Sequence, residues 1–210
     1  MDRYILASQS PRRRELLRMV IPEYEVIPAK GEETVMAADP AGTVEALSFQ
    51  KAMEVAKAVR PCEGDRIIVI GADTVVAVGD EILGKPADRT DARRMIGMLQ
   101  GREHHVYTGV TVCCVEKTQD APGGIPIPFF SFHEKTAVDV FPMNRGEIEG
   151  YISLQEPYDK AGAYGIQEWI GHIGIEWIDG SYNNVVGFPT QKLWKALQER
   201  FSCISLRRAS

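Results

Sequence analysis

Apolar and polar positions along the chain switch between a period of two and a period near 3.6, and the switches delimit the elements. Residues 3–7 read as a short strand; after Ser8-Gln9-Ser10-Pro11, Leu16, Leu17 and Val20 then supply one helical apolar face. Ser10 as cap and Pro11 at the first helical position make a good helix start, because a serine hydroxyl can accept a free amide and proline lacks the amide that would be orphaned. Residues 24–28 alternate as a strand, and Thr43 opens a helix that runs to about Val59 and is ended by Pro61. Residues 66–70 form an apolar, β-branched run suited to a buried central strand, and a second run, 74–78, follows Asp73. A further helix starts near Thr90, carries Ala92, Met95, Ile96 and Leu99 on one face and stops at Gly101.

In the second half, residues 106–115 and 131–141 read as paired strands. A Pro/Gly-rich connection joins them, and with its flanks (116–130) it reads as a mobile hairpin extension. A short helix from Asn144 buries Ile148, Tyr151 and Ile152; residues 173–178 resemble a strand; Leu193, Leu197 and Phe201 form the inner face of a helix starting near Pro189. The economical architecture is α/β, with a mixed central sheet flanked by helices and two lobes around a cleft, all within one domain over residues 1–210.

Composition changes this picture only by exclusion. A chain 44% hydrophobic and 25% charged is not disordered or fibrous. A net charge of −5 without long single-sign blocks argues against a nucleic-acid binder. The longest apolar run, 67–79, contains Asp73 and falls short of the roughly 18 to 20 residues that span a bilayer. No membrane helix or leader is read, and a cytoplasmic protein is expected. The cysteines Cys62, Cys113, Cys114 and Cys203 include no CxxC pair, and His104 and His105, as neighbours, read as solvated turn residues rather than metal ligands.

Several residues could carry chemistry. Arg12, Arg13 and Arg14 occupy the first turn of a helix whose dipole is already positive there, which costs up to about 1 kcal/mol per cation. A bound anion held by the helix amides, the Ser8 and Ser10 hydroxyls and guanidinium forks would offset that cost; a solvated basic turn paired with Glu15 and other acids is the equal alternative. Lys51 lies on an apolar helical stripe, where it either snorkels to solvent, which position alone favours, or reaches an anion in a polar cleft. Asp73, expected at a strand end, suits a general base, a metal ligand or a turn aspartate. Glu32 and Glu33 read as loop acids ahead of a hard-cation site. Lys85, between Gly84 and Pro86, could cap the same anion or mark a turn. The small residues of 158–166 would let backbone approach a ligand, and the Gln167 amide suits the edge of a nucleobase.

Taken together, LASQSPRRRELL at 6–17, GADTVV at 71–76, GKP at 84–86, DKAGAYGIQ at 159–167 and Asn184-Val185-Val186-Gly187-Phe188-Pro189 closely resemble the Maf family, in order and over nearly the whole chain. That family comprises nucleoside triphosphate pyrophosphatases, also called septum-formation inhibitor proteins. The resemblance implies a Maf/ITPase-like fold and hydrolysis between the α- and β-phosphates, with Mg²⁺ or Mn²⁺. It implies Asp73 as proton acceptor, a triphosphate site of Ser8, Ser10, Arg12, Arg13, Lys51 and Lys85, and Glu33 with Asp73 toward the metal. Arg12, Thr74 and Gln167 look like the dTTP/UTP branch; the branch acting on 7-methyl-GTP carries an aromatic, a glutamine and a glutamate there. Modified pyrimidine triphosphates would be further substrates. Glu168 departs from a glycine often found after this glutamine. The resemblance also implies a homodimer, and the family's older name keeps open a non-enzymatic, nucleotide-binding regulator of septum formation.

Overall fold

In a computed structural model of the chain, which describes residues 2–33, 39–117 and 126–200, the apolar runs on either side of Asp73 form one strand, β3 (Arg66–Val78). The strand does not end at Asp73 because its antiparallel neighbour β5 (Arg102–Glu116) pairs with it without interruption, from Arg66 opposite Glu116 to Ala77 opposite His105. That ladder satisfies the backbone on one side whatever the side chain, and so carries the strand past a polar residue.

On the other side of β3 the pairing is broken. β1 (Asp2–Leu6) runs parallel to β3 only as far as Ile70, and β4 (Glu81–Leu83) pairs with it only from Val76 onward. Among the described residues β1 is flanked in turn by β2 (Glu25–Val26), while β5 pairs with β6 (Phe129–Val140) and β6 with β7 (Ile175–Asp179), which gives the order β2-β1-β3-β5-β6-β7. β1 lies parallel to β2 and β3 and the other pairings are antiparallel, so the sheet is mixed.

Three apolar clusters hold the sheet. On one face α2 (Pro40–Ala58) packs Ala52, Val55 and Ala56 on Ile5, Ile67, Val69 and Cys113. On the opposite face α1 (Pro11–Val20) and the helix Thr190–Arg200 bring Leu16, Leu17, Leu193 and Leu197 against Leu6, Ile68, Ile70 and Val112. At the far end of the long strands α3 (Arg89–Leu99) and α4 (Arg145–Gln155) close a third cluster of Met95, Ile96, Leu99, Val106, Val138 and Tyr151. Each buried aliphatic side chain contributes about 1.5–3 kcal/mol of transfer free energy, so every helix is fixed chiefly by its inner face.

The expected helix starts hold where the signal is local. Ser10 caps α1 by accepting from the Arg13 amide, with Pro11 at the first position. Asn144 and Glu147 cap α4 reciprocally. α2 begins at Pro40 rather than Thr43, since the Asp39 carboxylate accepts the Gly42 amide at 2.9 Å and starts the helix a turn earlier. Ile173 ends a short helix, α5 (Trp169–Ile173), rather than opening a strand, because the Gly174 amide still donates to the Ile170 carbonyl. Two further helices follow among the described residues, α6 (Tyr182–Val186) and α7 (Thr190–Arg200). Most of the extension expected over 116–130, and Phe201, lie outside the described residues. No helix among those described is long and apolar enough to cross a membrane.

The histidine pair departs most from expectation. β5 starts at Arg102, opposite Val140 of β6, so His104 and His105 are strand residues and not a solvated turn. His104 is 1% exposed, with Nε2 2.7 Å from the Tyr164 Oη and no partner for Nδ1 among the described residues. Burial, with the neighbouring His105, lowers its pKa from 6.5 to about 4. Below pH 6.5 the unfolded chain takes up a proton at this residue that the folded chain refuses, so this site removes stability as pH falls from about 6.5 to about 4. The His104→Gln variant, which retains a polar partner for Tyr164, is expected to flatten the pH dependence of unfolding across that window by on the order of 3 kcal/mol. Urea titrations at pH 7 and pH 4 measure this, and parallel losses in wild type and variant would exclude it.

Candidate active site

The stretch of β3 between the end of β1 and the start of β4, residues 71–75, has open sheet edge on one side. Free carbonyls there need donors, and the first turn of α1 supplies one. Arg13 donates to the Ala72 carbonyl at 2.8 Å and to the Thr74 Oγ1 at 2.9 Å, while its Nε reaches the Gly187 carbonyl at 2.9 Å. Burial pulls the Arg13 guanidinium below its usual value and the charge of Asp73 opposes that; the group remains a cation. Ser8 accepts from the Ser10 amide and lies 3.4 Å from the Arg13 guanidinium. The three consecutive arginines therefore separate by role: Arg13 faces inward, Arg12 pairs with Asp159 at 2.9 Å, and Arg14 is exposed.

The opposite wall comes from α2, and two glycines set how near it stands. A Cβ on Gly71 would lie 2.5 Å from the Ser48 carbonyl oxygen, and one on Gly109, directly across from Asp73 in the β3–β5 ladder, 2.2 Å from the Val44 carbonyl oxygen. Helix backbone thus rests on strand backbone. At that distance Lys51 does not snorkel away from the sheet, as its position on an apolar stripe implied. Its ammonium contacts the Asp73 Oδ1 and lies 2.8 Å from the Glu33 Oε1. Glu33 stays in a loop and half exposed, as its sequence position implied, but it is drawn onto Lys51. Burial pushes its carboxyl pKa up, yet the hydrogen bond and charge of Lys51, with Lys85 and Arg13, outweigh that and hold it below the usual range. Glu32 is exposed.

A cleft of about 470 Å³ runs between these walls, lined by Ser8, Ser10, Arg12, Arg13, Glu33, Lys51, Asp73, Thr74, Lys85 and Gln167 among others. Of the residues singled out from the sequence as site candidates, Arg14 and Glu32 lie outside it and the others border it. Lys85 is exposed and makes no ion pair among the described residues, so its charge is available to a ligand. Gln167 is exposed at the other rim, on the turn leading into α5. Sequence position did not single out Asp159 and Lys160 as charged groups; they lie inside a run of small residues, and their partners Arg12 and Glu168 meet them only in space. Nor did it single out Thr108, whose hydroxyl lies 3.0 Å from the Thr74 Oγ1 and donates to the Asn184 carbonyl. Cations on both walls with one buried carboxylate between them can hold a polyanion and take a proton beside it.

The Maf-like protein family matches residues 3–200. The chain belongs to the Maf family. It is 46% identical over 207 residues to a dTTP/UTP pyrophosphatase of Agathobacter rectalis, covering 95% of this chain and 98% of that one. It is 45% identical over 197 residues to the dTTP/UTP pyrophosphatase of Thermoanaerobacter sp. strain X514, covering 94% and 96%. Among solved structures, the Ham1 protein of Staphylococcus aureus superposes with a TM-score of 0.46 at 14% identity, covering 95% of this chain and 98% of that one, a likeness too loose to bear on the site.

In this Maf chain the seating of α2 on Gly71 and Gly109 decides whether Lys51 reaches Asp73. Gly109→Ala is expected to lower stability by about 1–3 kcal/mol through overpacking, measured as a fall in the urea midpoint. Gly97→Ala on α3, where an added Cβ meets nothing within 4 Å, should be neutral or stabilising. Equal effects at the two positions would show that the backbone contact is not tight.

Proposed function

We propose that this chain hydrolyses nucleoside triphosphates between the α- and β-phosphates, releasing the monophosphate and pyrophosphate, with dTTP and UTP as preferred substrates. One observation carries the reading: Asp73, 7% exposed, opens into a cleft whose walls present Arg12, Arg13, Lys51 and Lys85. The names of the relatives at 45–46% identity over most of the chain support the same chemistry and the same bases.

Phosphoryl transfer asks a protein mainly to position charge, and the chain's residues divide that work. Arg13, fixed by the Ala72 and Gly187 carbonyls and the Ser8 and Thr74 hydroxyls, would present a rigid guanidinium face to the phosphates with little loss of freedom on binding. Arg12 and Lys85 would close on the chain of phosphates from opposite rims. Lys51, released from the two carboxylates, would move onto a phosphate oxygen, which leaves Asp73 free to accept the proton of an attacking water. Gln167 would read the base edge, and Thr74, held between Arg13 and Thr108, would set the depth of the base pocket.

The donor chemistry fits a divalent cation. Glu33 and Asp73 are hard oxygen donors that converge on one positive charge, the Lys51 ammonium, and among the described residues no group of three or more His, Cys, Asp or Glu is clustered. Mg²⁺ and Mn²⁺ take one or two carboxylates and complete their shell with phosphate oxygens and water. Glu33 and Asp73 would hold it, and when bound it supplies charge neutralisation to the triphosphate.

Pyrophosphate release from dTTP, UTP, CTP, GTP and 7-methyl-GTP, each with Mg²⁺ or Mn²⁺, tests the reading. We expect dTTP and UTP to be turned over fastest, and Asp73→Asn to lower kcat about 10²–10⁴-fold. Release from none of the nucleotides would sink the reaction. A preference for 7-methyl-GTP would retain the chemistry and overturn the roles given to Arg12, Thr74 and Gln167.

A further inference from the structure

We propose that Glu168 is a positioning residue for base recognition, which couples the turn carrying Gln167 to the ion-pair chain that holds Arg12; this rests on the reading of the cleft as a nucleotide site. Glu168 occupies the N-cap of α5, yet its side chain makes no capping bond. It turns back across the 165–168 turn instead. One carboxylate oxygen accepts from the Tyr151 hydroxyl at 2.7 Å, and the other lies 2.7 Å from the Lys160 ammonium.

The turn is clamped between those partners. The Gly165 amide donates to the Tyr151 Oη at 3.1 Å, and the Glu168 amide donates to the Gly165 carbonyl at 3.1 Å. A Cβ on Gly165 would come within 2.8 Å of the Glu168 carboxyl carbon and 3.1 Å of the Lys160 Cε. Glutamate and lysine lie directly over the backbone of the turn, and Gln167 projects from it at the cleft rim.

The same lysine leads to the other specificity position. Lys160 Nζ also pairs with one oxygen of Asp159 at 2.6 Å, and the second oxygen of Asp159 holds the Arg12 guanidinium at 2.9 Å. Signs alternate along Glu168, Lys160, Asp159 and Arg12. Lys160 is buried, so solvent and salt screen its pairs poorly and its charge must be met by protein groups. With Glu168 ionised, Lys160 is shared between two carboxylates and Asp159 is left with capacity for Arg12. Without that charge Lys160 depends on Asp159 alone, the hold on Arg12 weakens, and the turn under Gln167 loses one of its two anchors. Glu168 touches no substrate in this account; it acts through Gln167 and Arg12.

The experiment compares a nucleotide with its phosphates alone. In an Asp73→Asn background, which slows turnover, UTP and inorganic tripolyphosphate are titrated calorimetrically against the chain with and without Glu168→Gln, a change that keeps an acceptor for Tyr151 but removes the charge. We expect UTP to bind about five- to ten-fold more weakly in the variant, the scale of one positioned hydrogen bond, and tripolyphosphate, which meets Arg12 but not Gln167, to weaken by no more than about twofold. With Asp73 intact, the KM for UTP should rise while kcat changes little, and Glu168→Asp should recover part of the loss. Tyr151→Phe, which unlinks the turn from the same carboxylate, should reproduce the pattern and stands in should the Gln variant fail to fold. Equal weakening of UTP and tripolyphosphate, no change in either, or equal affinity of the parent chain for both would overturn the proposal. Pyrophosphate release by the wild type is assayed beside it: its absence removes the hydrolase reading, while the UTP-to-tripolyphosphate comparison decides Glu168 independently.

Discussion

The contact of α2 backbone with strand backbone at Gly71 and Gly109 is the constraint on which the site depends. Side chains on both surfaces ordinarily hold a helix away from the backbone of the sheet it covers. Removing two Cβ atoms from adjacent strands lets the helix settle until carbonyls at Val44 and Ser48 nearly touch the sheet. Two consequences follow from one geometry. Lys51 is near enough to β3 to meet Asp73, and the Ser48 hydroxyl is near enough to β5 to bond Thr111 at 2.8 Å, which fixes the helix against sliding along the strands.

A second constraint is the interrupted edge of β3. Where β1 stops and β4 has not begun, backbone carbonyls are available on a strand that is otherwise buried. Arg13 answers that deficit, and in doing so becomes rigid. Its position on the first turn of α1, which local electrostatics disfavour, is thereby made tolerable by carbonyl acceptors on β3 and at Gly187 before any ligand arrives. The cost of placing cations at a helix N-terminus, taken from the sequence as a sign of an anion, is thus met in part by the protein's own acceptors. Arg12, with only an exposed carboxylate as partner, is the member of the pair whose charge a ligand can recruit at small loss.

What could be read from the sequence was what depends on neighbours in the chain. The Ser10-Pro11 start, the Asn144 cap and the apolar faces of α3 and α7 are set within a few residues, and they were legible. For Lys51 position alone favoured solvent over the cleft, because the stripe on which it lies says nothing of the strand it meets; that information sits in glycines 20 and more residues away, whose lack of a side chain leaves no periodic signal. His104 was misread for a related reason. A histidine registers as polar along the chain, and its burial depends on Tyr164, 60 residues distant. Asp73 borders the cleft but lies within a strand and not at its end, since a ladder to β5 overrides the break in hydropathy. The candidate site itself was legible mainly through the joint occurrence of its motifs, not through any one of them.

The charges of the cleft are organised as two separate sets, and the separation has a physical logic. Asp73, Glu33 and Lys51 form one cluster around the open edge of β3; Arg12, Asp159, Lys160 and Glu168 form a chain along the far rim. A triphosphate that entered would draw Lys51 out of the first set, and the two carboxylates so exposed would repel it unless a cation replaced the ammonium. In the second set only Arg12, at its outer end, is offered to the ligand. Asp159, Lys160 and Glu168 keep their protein partners, so they can hold geometry while the first set rearranges. A site that must be both reactive toward phosphates and fixed toward a base is served by keeping the mobile charge and the locked charges on different elements, with α2 carrying one and the 159–168 segment the other.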